Sequence, residues 1–190
     1  MIPFNYLGWF FKTFGSIIYP KVVREELCKF LKNVPRQAKI LDLGAGTGMM
    51  SEFSHTCRDD LYFMAVDPAK DMLKYALPYI KTQVASAEDI PFEERSFDVV
   101  LMGESLHHFN NIDQALKEIV RVLKKEGKIF IYDFDVSTFL GKSICRGEKL
   151  LGEPGHFFVP EILKNKLEDY GFTAVISKHS WRYTIVAKLS

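Results

Sequence analysis

Lys39-Ile40-Leu41-Asp42-Leu43-Gly44-Ala45-Gly46-Thr47-Gly48 is the stretch on which the reading of this chain turns. Its first half is a short apolar run of the kind that forms a buried strand, and the residues from Met49 to Thr56 fit a short helix. Glycines crowded at the handover from strand to helix let the backbone bend sharply and approach a ligand without interference from Cβ atoms, which suits a nucleotide-type guest. Two features argue against a phosphate ligand. No Gly-Lys-Ser/Thr ending follows, and the third glycine comes one residue too early for the dinucleotide pattern Gly-x-Gly-x-x-Gly. Asp42 also aims a carboxylate at the turn, which would repel a pyrophosphate and attract an ammonium group. The expected ligand is therefore partly cationic.

Outward from this turn the periodicity alternates in kind, as when strands feed helices across a parallel sheet. Leu61–Asp67 reads as a second strand and Ala69–Tyr79 as a second helix. Thr82–Ala87, Phe97–Gly103 and Lys128–Phe134 are further short apolar runs, with a helix over Asp113–Lys125 closed by Gly127. A helix from Pro160 to Gly171 precedes Thr173–Ser180 and Arg182–Leu189, two runs joined so tightly that they must pair antiparallel. The expected fold is α/β: a Rossmann-like, three-layer, seven-stranded, mostly parallel sheet ending in an antiparallel hairpin. A single domain is expected, with a helical lid or cap over 1–35, a cofactor-binding core over 36–134, an inserted acceptor-side segment over 135–159, and the last helix and hairpin over 160–190.

Asp67 ends the second strand nineteen residues after Gly48. An acidic side chain there can accept hydrogen bonds from both hydroxyls of a ribose, which implies a nucleoside without a 2′-phosphate. It can equally cap the helix that opens at Pro68, and the two roles are compatible. A nucleoside with an amino-acid tail and a positive centre is S-adenosylmethionine.

The chain has 190 residues, 47% apolar and 26% charged, enough for one good core and too few for two large domains. Its 25 Lys and Arg against 24 Asp and Glu leave a net charge of +1, no field for gathering nucleic acid or an anionic membrane. Cys28, Cys57 and Cys145 are far apart and odd in number, so no disulfide framework or Cys-x-x-Cys metal site is expected, and a reducing cytoplasm is the simplest location. Phe4, Leu7, Phe11, Phe14 and Ile18 recur at helical spacing, with Trp9, Phe10 and Ile17 widening the apolar face. Asn5, Lys12, Gly8 and Gly15 interrupt this segment, which fits neither a membrane span nor a signal peptide. Its face either packs on the domain or forms an aromatic lid over an apolar substrate.

Ile40–Ser51, Ala65–Leu73, Ser86–Phe109 and Glu118–Phe134 resemble, in order, the successive motifs of class I S-adenosylmethionine-dependent methyltransferases, and are most similar to the small-molecule group that includes the quinone-biosynthesis enzymes. The resemblance implies S-adenosyl-L-methionine as cofactor. It places Gly44, Ala45, Gly46 and Gly48 along the methionine part of that molecule, Asp42 near its ammonium group and Asp67 on the ribose. Pro68 and Met72 would lie near the adenine, Ser86, Ala87 and Glu88 along its edge, and Gly103 close to the sulfonium. Many relatives carry Asp where this chain has Ser86, so the contact to the exocyclic amine would rest on Ser86 or a backbone carbonyl.

Methyl transfer from a sulfonium is an in-line displacement in which alignment counts for more than any acid or base. A base matters only where the acceptor must lose a proton. Glu104, His107 and His108 follow the fourth strand and border the acceptor side. His107 or His108 would deprotonate a phenol or hydroxyl, with His107 preferred and Glu104 orienting that acceptor group, although adjacent histidines at a helix start also pack and cap, with side chains that diverge. His156, beside Phe157 and Phe158, is a further acceptor-side candidate, while His55 and His179 have no argued role. Asp133 and Asp135 read as loop-forming or capping residues, Lys124–Lys128 as a solvated helix end, and no metal is expected.

The expected activity is methyl transfer to a small, partly apolar acceptor, without nucleic acid as a partner and without stable membrane insertion. The alternatives are a binding module that keeps the cofactor fold without turnover and, less favoured by the glycine spacing and Asp42, a nicotinamide-dependent oxidoreductase.

Overall fold

The computed structural model describes Lys12, residues 18–150 and residues 155–190. The aromatic helix expected before Ile18 lies outside the described residues, save for Lys12, whose Nζ pairs with Glu52. The elements in chain order are α1 (Lys21–Leu31), β1 (Lys39–Leu43), α2 (Met49–Cys57), β2 (Tyr62–Asp67), α3 (Lys70–Leu73), β3 (Ile80–Val84), β4 (Phe97–Gly103) and a 3₁₀ turn over Leu106–His108. There follow α4 (Ile112–Val122), β5 (Leu123–Phe134), α5 (Phe139–Leu150), α6 (Pro160–Asp169), β6 (Phe172–His179) and β7 (Arg182–Leu189).

The seven strands form one sheet in the order β3-β2-β1-β4-β5-β7-β6. Neighbours from β3 to β5 run parallel, whereas β7 lies antiparallel between β5 and β6. Ile40, Leu41 and Leu43 are wholly buried, as a strand covered on both faces requires. Leu27, Leu31, Met50 and Leu73 pack on one face of the sheet. Leu116, Ile119, Leu163 and Leu167 pack on the other. The apolar residues of α4, Ile112, Ala115, Leu116, Ile119 and Val122, form one helical stripe. Asn111 caps that helix by accepting from the Gln114 amide at 3.1 Å. Pro160 opens α6, where its missing N–H is no loss. The parallel strands all end at one edge of the sheet, and the order reverses between β1 and β4.

Four expectations require correction. The second helix is only Lys70–Leu73 and does not run to Tyr79, because Pro78 lacks an amide donor and disfavours helical backbone in the residue before it. The third strand is Ile80–Val84, earlier than expected, since the early end of α3 brings the chain back into the sheet sooner. The basic run after α4 is not a helix end: Leu123 already pairs with Phe97, and after a register shift Lys128 pairs with Val99. Within that run Lys124 Nζ sits 2.8 Å from both carboxylate oxygens of Asp98. Finally, Cys28 and Cys57 are joined in a disulfide, with Cα atoms 5.2 Å apart. Their separation of 29 residues hides the fact that α1 and α2 lie side by side, and the inference of a reducing compartment loses its basis for this pair. Neither they nor Cys145 are fully buried. Among the described residues, no helix is long and apolar enough to cross a membrane.

Candidate active site

The glycine turn is pinned to the neighbouring strand. Gly44 and Ala45 donate to Val66 O at 2.8 and 3.0 Å, and Gly44, Gly46 and Gly48 all have positive φ. A side chain at Gly44 would be excluded twice over, by φ near 67° and by Ser105, whose Cβ would lie 2.5 Å from an added Cβ. Ser105 in turn donates from Oγ to Leu43 O at 2.9 Å, locking the end of β1 to the start of the 3₁₀ turn.

Asp42 is almost wholly buried, and its Oδ2 accepts from both the amide and the hydroxyl of Ser51 in α2, at 3.0 and 2.7 Å. Burial pushes its carboxyl up to about 6, against the two Ser51 hydrogen bonds. Asp67 accepts from Gly46 N at 2.8 Å through one oxygen and from Ala69 N at 2.7 Å through the other, so it ties the glycine turn to the start of α3. Burial raises its carboxyl too. Met72 packs toward Gly46, and Pro68 stands exposed between Asp67 and α3. Asp42, Gly44, Ala45, Gly46, Gly48, Asp67, Pro68 and Met72 thus lie on or beside the turn after β1 and the carboxyl end of β2. Ala87 is in the core, and Glu88 Oε1 accepts from Asn110 N and Asn111 N at 2.7 and 3.1 Å, which turns that carboxylate toward the start of α4. The Ser86 carbonyl is the acceptor for Asp89 N.

Gly103 ends β4 beneath Tyr19. An added Cβ would meet Met50 Cγ at 2.5 Å and the Tyr19 hydroxyl at 2.6 Å, and that hydroxyl donates to Gly103 O at 2.9 Å. Beyond it, Glu104 adopts φ near 51° and donates its amide to Tyr132 O at 2.7 Å. Its carboxylate lies 2.7 Å from Arg182, and burial pushes it up to about 8 despite that cation. The Arg182 guanidinium stacks over Trp181 at 4.0 Å and donates to Ile18 O at 2.9 Å. The Tyr132 hydroxyl donates to the same carbonyl. The segment entering α1 is therefore anchored at this end of the sheet.

His107 is 1% exposed, and its Nδ1 lies 2.6 Å from Asp133 Oδ1. Burial works against a charge on this ring, but Asp133, its hydrogen bond, Glu148 and Glu104 outweigh burial and raise the ring above its ordinary value. Its other nitrogen faces Glu148 Oε2 at 3.5 Å, and its plane stacks on Phe157 at 4.3 Å. Asp133 is therefore a strand residue that orients a histidine, not a loop former, whereas Asp135 does act as a loop-forming residue by accepting from Ser137 N. The His107 and His108 rings do not diverge: in a single 3₁₀ turn their centroids are 4.1 Å apart. Burial lowers His108 to about 3. His156 donates its backbone amide to His107 O, and its side chain is exposed. His55 stacks on Tyr79, and His179 pairs with Glu26 and lies opposite Arg182 in the sheet. A groove of about 400 Å³ between α1 and the β6–β7 hairpin is lined by none of the predicted site residues.

Sequence reasoning did not find Tyr19, Ser51, Ser105, Asp133, Glu148 or Arg182 as members of the site. For Asp133 a signal existed, since it stands at the end of β5 and so at the ligand edge of the sheet. Nothing local marks the others.

With this geometry in place, the comparisons with known proteins can be weighed. Residues 41–131 match the family model described as a methyltransferase domain. The uncharacterized methyltransferase YcgJ of Bacillus subtilis is 29% identical over 123 residues, covering 57% of this chain and 46% of that protein. The ubiquinone/menaquinone biosynthesis C-methyltransferase UbiE of Blochmanniella pennsylvanica is 36% identical over 110 residues, covering 53% and 43%. A crystal structure of a Thermotoga maritima methyltransferase superposes with a TM-score of 0.75 at 18% identity, covering 98% of this chain and 97% of that one.

The match over residues 41–131 and the shared fold make the chain similar to class I S-adenosylmethionine-dependent methyltransferases, and S-adenosylmethionine is the cofactor that this likeness implies. Within that class its sequence is similar to UbiE. The chain spans about half the length of the curated relatives it matches.

Proposed function

We propose that the protein moves the methyl group of S-adenosylmethionine to a small, partly apolar acceptor held between the glycine crevice and His107. The observation that carries this reading is the buried Asp133–His107 pair, at the same edge as the glycine turn. Two titratable groups sealed from water and paired at a ligand edge are costly to a fold and typical of chemistry.

In this reading the cofactor's amino-acid tail lies along Gly44, Ala45, Gly46 and Gly48, with Asp42 supplying a negative charge near its ammonium. Asp67 meets the ribose, and Ser86, Ala87 and Glu88 border the adenine through their backbone and the Ser86 hydroxyl. The Tyr19 hydroxyl is already held by Gly103 O. We therefore assign Gly103 the task of keeping that tyrosine over the sulfonium end. The acceptor's nucleophilic atom attacks the methyl carbon, the sulfur–carbon bond breaks as the new bond forms, and neutral S-adenosylhomocysteine leaves. Where the acceptor carries a proton, that proton passes to Nε2 of His107. Asp133 fixes the ring by taking the hydrogen bond of Nδ1. Glu104 is a positioning residue, acting through Arg182, its partner at 2.7 Å.

The test is an incubation with methyl-labelled S-adenosylmethionine and panels of phenols, alcohols, amines and activated carbon acids. Label should pass to one class and fall at least a hundredfold in His107→Ala. Tight cofactor binding with no transfer to any panel would favour the binding module instead. Failure to bind the cofactor would remove the assignment altogether.

A further inference from the structure

We propose that the outer face of α5 docks the protein on the surface of an anionic lipid bilayer. Among the described residues, the two most exposed large apolar side chains are Phe139 and Leu150, which are 86% and 88% exposed. Both belong to this one helix, as its first and last residues. At 3.6 residues per turn their spacing is about three full turns, so they share a side of the helix and stand roughly 16 Å apart along it. Ser143 and Gly147 lie on the strip between them, and Leu140, also exposed, forms its shoulder. A single exposed leucine is ordinary, but an apolar row on one helix marks a binding face.

Two glycines show which way the strip faces. A Cβ added at Gly141 would lie 2.0 Å from Asp135 O, whereas one added at Gly147 would meet nothing within 4 Å. Gly141 and Glu148 therefore mark the side turned to the fold, where Glu148 Oε2 is 3.5 Å from Nε2 of His107. Phe139, Ser143, Gly147 and Leu150 look outward.

The charges beside the strip name its occupant. Lys142, Arg146 and Lys149 run along one flank, all exposed and none with an ion-pair partner among the described residues. Glu148 is the single acid of α5, and it faces inward. The chain's net charge of +1 averages this patch away. An apolar strip with a basic flank suits the lipid–water boundary: the apolar side chains pass the headgroups, while the long basic stems keep their charges among lipid phosphates. A second copy on this face would bring two such rows of cations into one contact with no acid between them. The helix lies on the bilayer and does not cross it, since its 12 residues reach about 18 Å against a hydrocarbon core of about 30 Å.

Because α5 follows the carboxyl end of β5 and its inner side reaches His107, docking sets this end of the sheet against lipid. Taken with the methyl transfer proposed above, on which this step rests, that makes the acceptor a lipid-soluble molecule drawn from the bilayer.

The experiment sediments the full-length protein, without cofactor, with vesicles of phosphatidylcholine alone and of phosphatidylcholine containing about one part in three phosphatidylglycerol. Binding to the anionic vesicles should exceed that to the neutral ones at least tenfold, and should fall steeply in about 1 M NaCl, where charge acts over only about 3 Å. Phe139→Ser with Leu150→Ser should weaken binding at least tenfold. Lys142→Gln with Arg146→Gln and Lys149→Gln should weaken it about a hundredfold, at about fivefold per cation. Circular dichroism should be unchanged in both. No binding to anionic vesicles, binding that either set of changes leaves intact, or a dimer in ultracentrifugation that Leu150→Ser breaks would overturn the proposal. Vesicle binding needs neither cofactor nor turnover, so it succeeds or fails apart from the methyl-transfer reading.

Discussion

Asp42→Asn should make the protein more stable and its cofactor binding weaker, and the size of both effects follows from burial. The carboxyl is sealed in the core end of β1 and raised from an ordinary 3.8 to about 6, chiefly by loss of solvent, with Asp67 adding to it. At pH 8 it is ionised whether the chain is folded or not, but the folded state carries the ion at a disadvantage of about two pH units, or about 3 kcal/mol. As pH falls from about 6 toward 4 the folded state takes up a proton that the unfolded chain still releases, so this group adds stability on acidification, the reverse of an ordinary ion-paired carboxylate. Asparagine has no charge to bury, and its carbonyl oxygen can still accept from the amide and hydroxyl of Ser51. Subtracting about 1 kcal/mol for weaker hydrogen bonds leaves an expected gain of about 2 kcal/mol at pH 8, vanishing near pH 4. S-adenosylmethionine should bind the variant roughly 10- to 100-fold less well at pH 8, because a charge-assisted partner of its ammonium is lost. Wild-type affinity should itself fall as pH drops through 6, while that of the variant stays flat. Urea unfolding at pH 4, 6 and 8 and calorimetric cofactor titrations at the same values make the check. A variant that is no more stable at pH 8, or that binds the cofactor as tightly as wild type, would refute the argument from burial or from charge respectively.

Asp67→Ala should weaken cofactor binding by about 1 to 3 kcal/mol, and it should also raise amide exchange at Gly46 and Ala69, whose donors it leaves without an acceptor; unchanged affinity in calorimetry would mean that the ribose lies elsewhere. The Cys28–Cys57 bridge closes a loop of 29 residues, so its reduction, or the double serine variant, should cost about 3 to 4 kcal/mol in urea unfolding. Equal midpoints with and without reductant would show that it contributes nothing. Gly103→Ala should destabilise by about 1 to 3 kcal/mol, since its methyl would overlap Met50 and the Tyr19 hydroxyl. A denaturation midpoint unchanged from wild type would show that these neighbours can move aside.

The parts of the fold that could be read from the sequence are those whose signal is local. The apolar run of β1, the glycines after it and the stripe of α4 each declare themselves within a dozen residues, and the two-residue join between β6 and β7 leaves only a hairpin. Boundaries failed where one residue overrode a pattern, as Pro78 did in shortening α3, or where pairing overrode propensity, as at Leu123, which the neighbouring Phe97 draws into β5. The site divides in the same way. Asp42, the glycines and Asp67 follow one strand–turn–helix unit and the strand beside it. The acceptor-side contacts join residues 26 positions apart for His107 and Asp133, and 78 for Glu104 and Arg182. No period or spacing encodes such pairs, because the sheet order brings them together only after the chain has folded.

That division has a chemical meaning. On the cofactor half, Asp42 and Asp67 are both held by backbone amides or by Ser51, and both are raised by burial, so they stand in the fold as anions that solvent no longer supports. In the proposed site the ammonium group of the nucleoside would relieve that strain at Asp42, and the demethylated product keeps that ammonium. On the acceptor half, Arg182 answers Glu104 directly, but His107 stands between two carboxylates with only one N–H to give when neutral. In the proposed reaction those carboxylates favour the proton that the ring takes from the acceptor.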